Sequence, residues 1–291
     1  MRPPLALTIS SSDADGAAGI QADLKTFTAL GVYGASAVTM IAAVGTHGLR
    51  GLHYLPAAAI SAQVDAAIED LLLDATKIGA LGSAAAVRAV AERVRGARRD
   101  FGSIVLDPVM TGSGGEPLMS AEGAQALCSD LVPLADILTP NVAEAAQLLG
   151  RAPARDIDEM REHALALAEL GPTAVLVTGG ALTGEDAVDV LVHPGGTDLL
   201  RATRLADRRV RGAGATLSAA IAAQLARVAE FERAGELGEI GEKGSDDDAF
   251  TIIASAREFL ASTIANARDW SLSRTPEGAF TPVNHLITLD D

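Results

Sequence analysis

Arg211-Gly212-Ala213-Gly214-Ala215-Thr216-Leu217-Ser218 is a glycine-containing turn that opens directly into Ala219-Ala220-Ile221-Ala222-Ala223-Gln224-Leu225-Ala226. The second stretch is rich in alanine and leucine, which carry almost no helix penalty. Small residues ahead of a helix leave its first backbone N–H groups uncovered. Those groups, with the positive end of the helix dipole, form an anion site. Taken alone, the octamer also reads as a turn that caps a core helix, so its meaning depends on what precedes it.

Upstream, apolar runs alternate with helical spacing. Leu5 to Ile9 (LALTI) reads as a first buried strand and breaks into the small, flexible segment Ser10 to Gly19. Ile20, Leu24, Phe27 and Leu30 then repeat at helical spacing. A strand, a glycine-containing loop and a helix form the place where α/β proteins hold ligands, and Asp13 and Asp23 are the polar candidates there. Asp13 reads equally well as a cap or turn residue. Tyr33 to Ala43 predicts a strand, and Val44 to Gly48 a turn that contains His47.

Ala57 to Leu73 predicts a helix, and Ala75 to Ile78 a short strand carrying Lys77. Lysine in a buried strand is costly unless its ammonium meets an anion or a carboxylate. A helix over 84–94 precedes Ser103 to Met110, the clearest strand, with Asp107 at its carboxyl edge. A glycine-rich loop and a helix over 121–131 come next. Ala135 to Leu138 runs into Thr139-Pro140-Asn141-Val142-Ala143-Glu144, where Asn141 and Glu144 have capping-box spacing. A second role, beside a metal and phosphate, is open to both residues. Ile157 to Leu170 predicts a helix, Ala174 to Val177 a strand ending at Thr178-Gly179-Gly180, and Val188 to Leu205 short antiparallel strands. Gly235 to Asp248 is an acidic, glycine-rich surface loop, and Phe250 to Ala267 a closing helix. This alternation predicts one domain over residues 1–291, a doubly wound α/β fold with a mostly parallel sheet and helices on both faces.

The totals agree with that reading. The chain has 291 residues, 48% hydrophobic but only 3% aromatic, so alanine, leucine and valine must build its core. Its single cysteine, Cys128, excludes an internal disulfide framework and fits a reducing compartment. No apolar run approaches the roughly 18 residues of a membrane span, so a soluble, cytoplasmic protein is expected. The net charge of −15 opposes nucleic acid and anionic membrane as partners. A nucleotide remains open, because a phosphate site needs only local positive potential.

Six of these segments together resemble one family: ALTISSSDADGAAGIQADLKTFTALGVYG at 6–34, TKIGALGS at 76–83, VLDPVM at 105–110, LTPNVAEA at 138–145, VLVTGG at 175–180 and GAGATLSAAIAA at 212–223, with TPVNHL at 281–286 closing the chain. They are similar to the hydroxymethylpyrimidine/phosphomethylpyrimidine kinases of thiamin biosynthesis, within the ribokinase-like superfamily. Pyridoxal kinases are the nearest competitor. The resemblance implies transfer of the ATP γ-phosphate, with Mg²⁺, to a hydroxymethyl or phosphate group on a pyrimidine, and a homodimer. It implies catalysis at Gly212, Gly214 and Ala215. Lys77, Asn141, Thr178, Gly179, Ala213 and Thr216 would lie at the ATP phosphates, Asp107 and Glu144 at the metal, and Asp13, Asp23 and Val44 at the pyrimidine.

Six positions depart from the family pattern. Ala215 stands where cysteine, or aspartate in the wider superfamily, is the expected base, and a methyl group takes no proton. Val44 replaces a glutamine whose amide reads the ring, and Thr178 replaces a lysine. The first loop also departs at Ser11, Asp15 and Ala17. These changes leave a second expectation beside the kinase: a ribokinase-fold ligand-binding or regulatory protein with impaired catalysis.

Overall fold

Fully buried, β-branched runs build the centre of the sheet. The structure is a computed structural model and describes residues 2–184, 186–204, 210–235 and 247–287. Its strands are β1 (Leu5–Asp13), β2 (Tyr33–Gly45), β3 (Gly48–Tyr54), β4 (Ala75–Ile78), β5 (Ser103–Leu106), β6 (Ile137–Leu138), β7 (Ala174–Val177), β8 (Asp186–His193) and β9 (Gly196–Thr203). They form a nine-stranded sheet in the order β3-β2-β1-β4-β5-β6-β7-β8-β9. The run β2-β1-β4-β5-β6-β7 is parallel, while β3, β8 and β9 pair antiparallel at the two edges. A separate short ladder joins β10 (Val210–Arg211) to β11 (Thr281–Pro282).

Alternate strand residues face opposite layers, as the period of two requires. Leu7, Ile9, Ile78, Ile104 and Leu106 pack against α2 (Ala57–Asp70), α3 (Ala84–Gly96), α4 (Ala121–Ala126), α5 (Val142–Leu149) and α6 (Ile157–Ala168). Ala6, Ala75, Val105 and Leu176 face the other layer, made by α1 (Gly19–Ala29), α7 (Ala213–Ala234) and α8 (Asp247–Ala265). Ala219, Ala220, Ala222, Ala223 and Ala226 of α7 are buried. Their small side chains let this long helix lie close on the sheet. The fold is the doubly wound α/β arrangement, with a mostly parallel sheet and helices on both faces, that the sequence predicts.

The structure adjusts several boundaries. β1 continues beyond Ile9 to Asp13 because Ser10 and Ser12 keep pairing with β2 past a bulge. β5 ends at Leu106, so Asp107 is already in the loop. β3 is a strand that the sequence pattern does not announce. The predicted helix over 121–131 is α4 followed by a π-helical turn at Leu127–Leu131. Of the acidic segment 235–248, residues 236–246 lie outside the described residues, and Asp247 and Asp248 begin α8. Among the described residues no helix is long and apolar enough to cross a membrane.

Candidate active site

In a parallel sheet, loops that leave the carboxyl ends of the strands surround the ligand crevice. Here that edge presents Asp13 from β1, Lys77 from β4, Asp107 after β5, Asn141 and Glu144 after β6, and Thr178 after β7, all on the wall of one cavity of about 270 Å³. Gly212, Gly214 and Ala215 close the same wall from the start of α7. Gly212 has φ +90°, and a Cβ there would stand 1.8 Å from the Ala17 carbonyl oxygen. Only glycine lets the turn approach the first loop so closely. The first intrahelical bond runs from the Thr216 N–H to the Gly212 carbonyl, at 2.9 Å. The N–H groups of Ala213, Gly214 and Ala215 therefore have no acceptor within the helix.

A second cavity, of about 240 Å³ and mostly apolar, lies on the other side of this turn, with Ala187, Ala202, Val210, Leu260 and Ile264 on its wall. Ala213 faces it, and Thr178, Gly214 and Leu217 belong to both cavities. Two compartments thus meet at an anion-binding helix start.

Ion pairs organise the polar wall. Lys77 Nζ donates to both oxygens of Asp23, at 2.9 and 3.0 Å, and lies 3.9 Å from Asp107 Oδ2. Thr8 Oγ1 donates to Asp23 at 2.6 Å. Burial pushes the Asp23 carboxyl up, and Lys77 and Thr8 pull it back. Asp107 accepts from Ser218 Oγ at 2.9 Å, and burial raises it against the pull of Lys77. Arg211 donates to Asp13 at 2.6 Å and also to Asp15, binding the first loop to the turn. Burial raises the Asp13 carboxyl, and Arg211 opposes the shift. Glu144 accepts from the Asn141 N–H at 3.0 Å, while Asn141 Oδ1 accepts from the Ala143 and Glu144 N–H groups at 2.9 and 3.0 Å. The capping box is formed, and both of its residues also face the cavity. Burial first, then Asp107, pushes Glu144 up to about 8.

Asp107 and Glu144 offer two hard carboxylates to one cavity, and the charge of Asp107 disfavours that of Glu144. Mg²⁺ ordinarily takes one or two carboxylates together with phosphate oxygens and water, so this donor pair fits it. No group of three or more His, Cys, Asp or Glu side chains suited to a metal occurs among the described residues.

Three expected site residues are placed elsewhere. Asp23 is fully buried behind the wall and does not line the cavity, because Thr8 and Lys77 occupy its carboxylate. Thr216 is buried with its hydroxyl 2.9 Å from His285 Nε2, and its N–H is spent on Gly212. Gly179 donates its N–H to Asp189 at 2.9 Å, and a Cβ there would lie 2.1 Å from the Val188 carbonyl, so it serves close packing. Lys77 does reach the wall, but its ammonium is held by a carboxylate. Val44 lines the apolar side of the cavity with Met40, Ala42, Leu49 and Leu118. Sequence reasoning missed Arg211 and Ser218 as site residues. Their partners stand 198 and 111 positions away, and only the charge of Arg211 inside the glycine turn was a local signal.

Sheet order, strand-end wall and anion turn together define a ribokinase-like kinase fold. Over 98% of both chains the structure superposes, with a TM-score of 0.82 and 32% identity, on an ADP complex of the Bacillus subtilis pyridoxal kinase. A phosphomethylpyrimidine kinase from Clostridium difficile aligns with a TM-score of 0.72 and 33% identity, over 89% of this chain and 99% of that one. The chain belongs to the phosphomethylpyrimidine kinase family, whose pattern it matches over residues 13–239. A hydroxymethylpyrimidine/phosphomethylpyrimidine kinase of Rhizobium meliloti is 46% identical over 223 residues, which span 77% of this chain and 83% of that protein.

Proposed function

We propose that this chain is a phosphotransferase that moves the ATP γ-phosphoryl group onto hydroxymethylpyrimidine or its phosphate, in thiamin biosynthesis. The observation that carries this reading is the pair of cavities meeting at Gly214, with unpaired helix N–H groups between them. Phosphoryl transfer is mostly positioning and electrostatic stabilisation, and fixed donors at the point of developing charge supply the latter. The apolar cavity suits a purine. The wall of Met40, Val44 and Leu118 suits the flat face of a small heterocycle, and Ser10 and Ser11 are among the polar residues of the same cavity. Asp107 and Glu144 would hold Mg²⁺, which when bound neutralises charge on the phosphates. Arg211 keeps the turn against the first loop.

The fuller superposition on pyridoxal kinase favours a second reading, in which the acceptor is a pyridoxal-type ring. ADP release by the purified chain, with Mg²⁺ or with EDTA, separates the two when hydroxymethylpyrimidine, its phosphate and pyridoxal are compared. Turnover of a pyrimidine only with Mg²⁺ supports the first reading, and preference for pyridoxal supports the second. Bound ATP without turnover of any acceptor would replace both with a non-catalytic binder.

A further inference from the structure

We infer that the acceptor of this chain is a phosphomonoester and not an alcohol, an assignment that rests on the phosphotransferase reading above. An alcohol oxygen that attacks the γ-phosphorus forms the new O–P bond while the bond to the β–γ bridging oxygen breaks. ADP leaves with that electron pair, and the hydroxyl proton must pass to a base. A phosphomonoester, with its second pKa near about 6, already presents an anionic oxygen at neutral pH. The same bonds form and break, and a diphosphate results with no proton to place.

The wall of the acceptor cavity is built for the second case. At the helix start, where the attacking atom must lie, the chain offers the Ala215 methyl group. Among the described residues this wall contains no histidine, cysteine or tyrosine. Its carboxylates are Asp13, Asp107, Glu116 and Glu144, and three of them are engaged. Asp13 is held by Arg211 and by the Ala18 N–H at 3.0 Å. Asp107 is held by Ser218, with Lys77 beside it, and Glu144 closes the helix cap. Glu116 lies on the loop after β5, its carboxylate turned onto Gly112 and Gly114 of that same loop. The nearest histidine to the helix start, His285, is buried against Thr216 and does not reach the cavity. Anion-stabilising groups are present by contrast, because the N–H groups of Gly214 and Ala215 on this wall have no acceptor within the helix.

A positioned base contributes roughly 10²–10⁴-fold, so kcat/KM for the free alcohol should fall at least about 100-fold below that for its phosphate ester. Initial rates of ADP formation, with ³¹P NMR of the products, are measured for hydroxymethylpyrimidine and for hydroxymethylpyrimidine phosphate. The ratio in the unmodified chain decides the matter without any variant. Ala215→Asp, which places a carboxylate at the helix start, should then narrow that ratio tenfold or more. Comparable turnover of the two acceptors in the unmodified chain overturns the assignment while leaving the kinase intact, and so does a ratio that Ala215→Asp leaves unmoved. Silence with both acceptors, in a chain that binds Mg²⁺–ATP by calorimetry, overturns the kinase reading itself.

Discussion

Replacing Lys77 with methionine keeps most of the apolar stem and removes the ammonium. Both partners are sealed: the side chains of Lys77 and Asp23 are 1% and 0% exposed. The substitution would leave Asp23 with only Thr8 as a donor, and Asp107 with only Ser218. Breaking a buried ion pair by removing one member costs about 3–5 kcal/mol, because a charge stays in low dielectric without compensation. At about 2–4 °C per kcal/mol for a chain approaching this size, Lys77→Met should lower Tm by roughly 6–20 °C. Adding Asp23→Asn removes the orphaned charge while keeping an acceptor for Thr8, and should recover about half of the loss. Urea denaturation at pH 7.5, followed by circular dichroism on both variants and on Asp23→Asn alone, closes the double-mutant cycle. A Lys77→Met loss under about 1 kcal/mol would refute charge compensation as the role of Lys77. So would a double variant less stable than the single one.

Two further outcomes follow from the site. Gly212→Ala forces a side chain into a positive-φ position 1.8 Å from the Ala17 carbonyl, so the turn must move. Affinity for Mg²⁺–ATP, read by calorimetry, should drop tenfold or more, and unchanged affinity would detach the turn from nucleotide binding. Glu144 holds its proton up to about 8, against an ordinary value of 4.5. The folded chain therefore binds more protons than the unfolded one between those limits. Its stabilising contribution is complete below the ordinary range and is lost as pH rises toward about 8. In metal-free buffer Glu144→Gln should flatten this part of the stability–pH curve, measured by urea denaturation at pH 5, 6.5 and 8. Parallel curves for variant and parent would remove Glu144 from that slope.

What the sequence makes legible follows burial. β4 and β7 are readable to the residue because every position in them is covered, so their composition is continuously apolar or β-branched apart from the paired Lys77. β3 is invisible because it is an edge strand of Gly48-Leu49-Arg50-Gly51-Leu52-His53-Tyr54 with no buried position. It is held by backbone pairing to β2, which leaves no trace in side-chain pattern. The end of β1 is hidden for a different reason: Ser10, Ser11 and Asp13 are buried but polar, so their burial leaves no apolar signal. At the site, residues at strand ends could be named because the chain's alternation fixes which edge they occupy. The direction of a side chain could not. Asp23 and Thr216 stand on helices one phase away from the cavity, and their burial depends on Lys77 and His285, residues 54 and 69 positions distant.

The wall shared by the two cavities has a consequence for inhibitor chemistry. Thr178, Gly214 and Leu217 border both compartments, so on the proposed reading an adenosine moiety in one and a heterocycle in the other are held against the same three residues. Tethering the two through a short oligophosphate makes the second docking event intramolecular, at an effective concentration near the millimolar range, and overall affinity can exceed either half by about 10²–10⁴-fold. The tether length that binds best would measure, from outside, how far apart the two reacting groups are held.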